Sequence, residues 1–152
     1  MKFLRILAVL LCLLVVTVLF VAIIYKQPLT TAEFTRRMES MGFTVEEITD
    51  EDSRASTVLS AYNGRYSIEF YEFASSTMAA STLNKWRNFY EAEYTHKFMV
   101  SEAYGENYSR YRFSSTKQFH MMCQIEETLL FCEVRLGNKK EVLQIAQALG
   151  YK

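Results

Sequence analysis

The chain opens on its longest apolar run. From Ile6 to Tyr25 it reads ILAVLLCLLVVTVLFVAIIY, 20 residues without a charge, which as a helix rising about 1.5 Å per residue matches the roughly 30 Å of a bilayer's hydrocarbon. The run outlasts the apolar segment of a cleavable signal peptide and ends without a small-x-small site. Residues 1–28 are therefore read as an uncleaved membrane anchor with one transmembrane helix, and residues 29–152 as a single domain. Lys2 and Arg5 form a short charged head before the run. Such a signal-anchor predicts a single-pass protein of the cell membrane, its N-terminus cytoplasmic and its domain extracytoplasmic. Cys12 follows Leu11 where a lipobox has a small residue, so it reads as an apolar position of the helix rather than a lipid attachment site.

Beyond Pro28 the pattern changes to short alternating stretches. Thr30 with Glu33 is a capping-box spacing, and it opens a helix whose Phe34, Met38 and Met41 share a face and which Gly42 stops. Phe43 to Ile48 reads as a short strand, and the polar stretch Thr49 to Ser56 as a loop. Asn63-Gly64 between Thr57 to Tyr62 and Arg65 to Phe73 is a hairpin signal. Ser75 or Ser76 then caps a helix reaching about Tyr94, with Ala79, Leu83, Trp86 and Tyr90 at the spacing of a buried stripe. Tyr108 to Ser115, Gln118 to Ile125 and Thr128 to Leu136 read as a three-stranded meander. A final helix from Asn138 buries Val142, Ile145, Ala146 and Leu149, and Gly150 closes it. These elements predict an α+β domain with an antiparallel sheet of about 4–6 strands and three helices gathered on one side.

Alternation assigns the two faces of that sheet. Phe119, Met121, Cys123, Ile125, Leu130, Cys132 and Val134 take one side, with Tyr66, Ile68 and Phe70 beside them. That leaves Tyr71, Phe73, Met122, Leu129 and Phe131 on the nominally wet side, too many apolar side chains for scatter. They are the candidate partner surface, with three explanations: the first helix covers them, the domain pairs with itself, or another protein docks there. Cys123 and Cys132 fall diagonally if Glu126-Glu127 is a two-residue turn and face each other if the turn is longer. They are read as two buried thiols.

Composition narrows the chemistry. The chain is formally neutral, with 17 Lys and Arg against 17 Asp and Glu; because Lys2, Arg5 and Lys26 flank the apolar run, the domain itself carries a deficit of three positive charges. That balance predicts no nucleic-acid partner. Arg110 and Arg112, with Tyr108 and Tyr111, make the one basic-aromatic cluster and read as a solvated strand face. His96 and His120 have no second ligand at a metal spacing and read as solvated. The stretch Asp50-Glu51-Asp52-Ser53 lacks the spaced oxygen ligands of a calcium loop. No nucleophile elbow or glycine-rich phosphate loop is present. Glu46 with Glu47 and Glu126 with Glu127 are sequence neighbours that point apart or lie in a turn. No catalytic, metal or cofactor residue is predicted.

The stretches IEFYEF (Ile68 to Phe73), TLLFCEV (Thr128 to Val134) and ALGYK (Ala148 to Lys152) resemble segments of small bacterial membrane-anchored or lipoprotein-like domains of uncharacterised function. The likeness covers Phe34 to Lys152, consists of structural positions and departs at Cys12, which has no lipobox. It implies a tethered domain and no chemistry. The expectation is a membrane-anchored, extracytoplasmic interaction or accessory module without enzymatic activity, whose partner is another envelope protein or a second copy. The competing class is a small envelope enzyme or ligand-binding protein.

Overall fold

The computed structural model describes Leu7 and residues 10–17, 25–51 and 53–151. The domain begins with α1 (Thr31–Ser40), which is followed by a meander of three strands, β1 (Thr44–Glu47), β2 (Thr57–Tyr62) and β3 (Ser67–Glu72). Helix α2 (Ser76–Glu93) leads to a second meander, β4 (Phe98–Tyr104), β5 (Tyr108–Ser114), β6 (Gln118–Ile125) and β7 (Thr128–Arg135). A 3-10 turn (Leu136–Asn138) runs into α3 (Lys139–Ala148). All seven strands form one antiparallel sheet in the order β1-β2-β3-β7-β6-β5-β4. The two meanders join at β3 and β7, where Phe70 faces Leu130.

Local chemistry accounts for the ends of these elements. Glu33 N–H donates to the Thr30 hydroxyl and Thr30 N–H to the Glu33 carboxylate, completing the capping box. Helices α1 and α3 stop by the same device: Gly42 and Gly150 sit at φ +85° and +91°. Phe43 and Tyr151 then donate back to Met38 and Ala146, while the glycines donate to Glu39 and Gln147. Each stop drops an aromatic ring into the core. At the hairpin, the Asn63 side chain accepts from the Arg65 and Tyr66 N–H groups and Gly64 adopts φ +84°. Ile125 pairs with Thr128 across the two-residue turn Glu126-Glu127, with Glu126 at φ +49°.

The sheet is covered on both faces, because strands β6 and β7 are apolar on both. On one face Phe119, Met121, Cys123, Leu130 and Cys132 pack with Phe34 and Met38 of α1 and Val142, Ile145 and Leu149 of α3. Here Phe34 stacks on Phe70 at 4.8 Å. On the other face Met122, Leu129, Phe73, Tyr111 and Phe113 pack under Ala79 and Leu83 of α2.

Several expectations are corrected. Seven strands form where four to six were expected, β4 being the additional one, and the helices lie on both faces rather than one. Met41 belongs to the exposed end of α1 instead of its buried face. The single-pass reading of the N-terminus is not supported: among the described residues no helix is long and apolar enough to cross a membrane. The described helical run at residues 10–17 would rise only about 12 Å against roughly 30 Å of hydrocarbon, and the rest of Ile6 to Tyr25, save Leu7 and Tyr25, lies outside the described residues. The transmembrane helix, the cell-membrane placement and the extracytoplasmic topology built on it are withdrawn with it.

Candidate functional site

The five residues expected to form a partner surface are brought together, and they are covered. Phe73, Met122 and Leu129 are buried, and Tyr71 and Phe131 are half-buried. The cover is α2 rather than α1. Trp86 sets its ring edge-on to Tyr71 at 5.0 Å and to Phe131 at 5.2 Å, and Tyr90 stacks on Phe131 at 6.3 Å. The stripe of Ala79, Leu83, Trp86 and Tyr90 thus has its complement in this face. The Tyr71 hydroxyl donates to Glu69, and burial raises its pKa. Three of the five therefore lie inside the domain under α2, while Tyr71 and Phe131 keep part of their surface.

His120 belongs to the same layer, although strand alternation had suggested a wet position. It is fully buried, stacked on Phe113 with ring centroids 4.4 Å apart, and flanked by Tyr94 at 4.9 Å and Tyr90 at 5.0 Å. Neither ring nitrogen has a hydrogen-bond partner, and the nearest charge is the Glu133 carboxylate, 3.5 Å from Nδ1. Burial lowers its pKa and Glu133 offsets part of the effect, so the ring is neutral near pH 7. Nothing in this cage resembles a nucleophile awaiting a base. His96 is exposed in the loop after α2.

The cysteines follow the two-residue turn. Cys123 pairs with Leu130 and Cys132 with Met121, which leaves the thiols diagonal, buried and free. Burial pushes both thiols up to about 12, so they stay protonated and unreactive. Among the described residues no three His, Cys, Asp or Glu side chains gather as a metal site.

Two open features lie instead at the β4–β5 end. The first is β4 itself, an edge strand seven residues long paired only with β5. Its Phe98, Met99 and Val100 are consecutive and 43%, 69% and 49% exposed. A bulge at this end puts Met99 at φ +52°. The second is the adjoining cationic shelf. Register places Arg110 beside Cys123 and Arg112 beside Met121, so both arginines share the face that carries α1 and α3, where they are half-buried. Along α3, on the same face, runs a cleft of about 580 Å³ whose apolar lining is Met121, Leu136, Leu143, Ala146 and Tyr151 and whose polar lining is Lys139, Lys140, Gln144 and Gln147; the two arginines stand on the neighbouring strand, outside this lining.

Sequence reading missed β4 because Phe98-Met99-Val100 breaks the alternation it looks for. The usable signal lay just beyond, at Gly105. Its N–H donates to the Tyr108 carbonyl, and a β-carbon there would lie 2.0 Å from the Tyr108 ring, so a larger residue would displace that ring from the turn into β5. No protein-family model matches the chain, and neither a curated protein nor a solved structure is similar to it.

Proposed function

We propose that the domain is a non-enzymatic interaction module that associates through the free edge of β4, with a second copy of this chain as partner. One observation carries the reading: a seven-residue edge strand that displays three adjacent apolar side chains and a further exposed aromatic, Tyr104. An unpaired strand edge is a template for another strand, and proteins commonly blunt it with lysine, proline or short length. The opposite edge, β1, is blunted in this way, being four residues long and ending in Glu46 and Glu47.

The sequence of β4 suits self-pairing. Aligned antiparallel about Ser101, the strand sets Val100 against Glu102, so its single charge does not meet its own copy, while the bulge before Ser101 takes Phe98 out of that register. The catalytic alternative has no comparable support, since His120 is walled in by rings and the cysteines are protonated.

The test is the concentration dependence of the mass of the full chain, measured by sedimentation, for the native sequence and for a Phe98→Lys, Val100→Lys double variant. A native dimer that the variant converts to monomer supports the reading. A native chain that stays monomeric at high concentration, or a variant that dimerises equally, sinks it.

A further inference from the structure

We infer that the cleft along α3 binds a long-chain carboxylate, its alkyl chain along Met121, Leu136 and Leu143 and its head against Arg110 and Arg112. The inference stands apart from the pairing of β4 and needs only one copy of the chain.

Charge is the first ground. Arg110 and Arg112 alternate on one strand and so lie side by side on one face. Among the described residues neither guanidinium has a carboxylate within salt-bridge distance, although three other cationic side chains of the domain, Arg65, Arg87 and Lys97, do. Arg110 Nε is shut from solvent and has no hydrogen-bond partner, a rare condition for a charged donor. Lys26 reaches the same shelf, its ammonium 4.3 Å over the Tyr108 ring. Lys139 closes the far end, its ammonium 3.2 Å from the Ser114 hydroxyl. Burial and the neighbouring Arg110 charge lower the pKa of Arg112, a repulsion that a bound anion would relieve. At this end of the molecule the Glu126 carboxylate is taken by the Tyr25 hydroxyl.

Shape is the second ground. The cleft volume of about 580 Å³ falls in the range of about 300–1,000 Å³ usual for small-molecule sites. Its floor is apolar through Met121, Leu136 and Tyr151, Lys139 and Lys140 line it from α3, and Arg112 stands on the next strand beside Met121, an arrangement that fits a ligand with an apolar body and a single anionic end. Two planar guanidinium forks side by side favour a planar, two-oxygen head.

The ladder places the head relative to the tail. Arg112 is the direct cross-strand neighbour of Met121, and Met121 lines the cleft. An anion on Arg112 is therefore within one strand spacing, about 5 Å, of the apolar floor. Tyr151, at the end of the floor, is buried and donates or accepts a bond with Thr128, so it supplies a fixed wall and no competing polar end.

The test is calorimetric titration of the full chain below micelle-forming concentrations with four probes: dodecanoate, dodecyl phosphate, dodecanol and acetate. Dodecanoate is expected to bind one per chain and at least tenfold more tightly than dodecanol, with acetate undetectable. An Arg110→Gln, Arg112→Gln double variant should lose at least tenfold for dodecanoate and leave dodecanol unchanged. A second variant, Leu143→Glu on the half-exposed side of α3, should abolish dodecanoate binding while the far-ultraviolet circular dichroism stays native. Equal binding of dodecanol and dodecanoate, undiminished binding by either variant, or no binding at all overturns the inference. Tighter binding of dodecyl phosphate than of dodecanoate overturns the choice of a carboxylate head.

Discussion

Replacing Phe131 with alanine tests whether α2 seals the second face of the sheet. Phe131 is half-buried, and its ring meets Trp86 edge-on at 5.2 Å and Tyr90 in a stack at 6.3 Å. A fully buried phenylalanine truncated to alanine costs about 3–5 kcal/mol. Partial exposure reduces the transfer part, and the two ring contacts contribute about 0.5–1.5 kcal/mol each. The expected loss is about 2–3 kcal/mol, a large share of the roughly 5–15 kcal/mol that holds a domain folded. In urea, with a slope of about 1–3 kcal/mol per molar, the unfolding midpoint should fall by about 1–2 M. Tyr62→Ala is the control, since that side chain is 52% exposed and packs in neither core; its effect should stay within about 0.5 kcal/mol. Adding Trp86→Ala closes a double-mutant cycle, in which touching rings should show a coupling of about 0.5 kcal/mol or more. Additive losses, or a Phe131 variant as stable as the Tyr62 control, would refute the packing of α2 on this face.

Two further outcomes follow from the buried titratable groups. Because the His120 pKa is lowered in the folded state, the unfolded chain binds the proton more readily. Stability attributable to this ring is therefore fully present above about pH 6.5, the ordinary value, and is lost as pH falls below it. His120→Phe should flatten the pH dependence of the unfolding free energy, read by urea titration, in that window by at most about 1.4 kcal/mol per pH unit; parallel curves for the two proteins would contradict the neutral cage. Maleimide should modify only Cys12 in the folded full chain, because Cys12 is exposed while Cys123 and Cys132 are buried with thiols held at about 12. Labelling of all three without denaturant, read by intact mass, would show that the core is open.

Elements set by neighbouring residues were legible in the sequence. The Thr30 and Glu33 box, the Asn63-Gly64 hairpin and the α2 stripe all appear as their spacing predicts, and of the two arrangements open to Cys123 and Cys132 the two-residue turn selects the diagonal one. The covering of the second face was not legible, for a physical reason. Alternation assumes one wet face, whereas β6 reads QFHMMCQI and β7 TLLFCEVR, each with adjacent apolar residues (Met121 and Met122, Leu129 to Cys132) that signal burial on both sides. His120 was misplaced by the same assumption. The β3–β7 pairing was illegible because no local signal marks which strands of two separate meanders will adjoin. The cationic shelf was read in part: Arg110 and Arg112 were correctly set on one strand face, but the cleft beside them needs α3, whose position depends on the whole sheet. The N-terminal run was over-read, its length taken as sufficient for a span.

The junction of β3 with β7 also shapes how the chain assembles during synthesis. Each meander closes through neighbours along the chain, so its turns can form as soon as they are made. Strand β3, however, emerges with one edge vacant and must wait for the last strand to arrive. Helix α2 follows β3 directly and carries the Trp86 ring that packs on Tyr71. It can therefore shelter one side of the waiting strand before its permanent neighbour exists. The opposite side, with Ile68 and Phe70, meets α1 early through the Phe34 stack. What stays unprotected until the end is the bare hydrogen-bonding edge, and its occupancy by β7 is the step at which a nascent chain commits to this fold rather than to association with its neighbours.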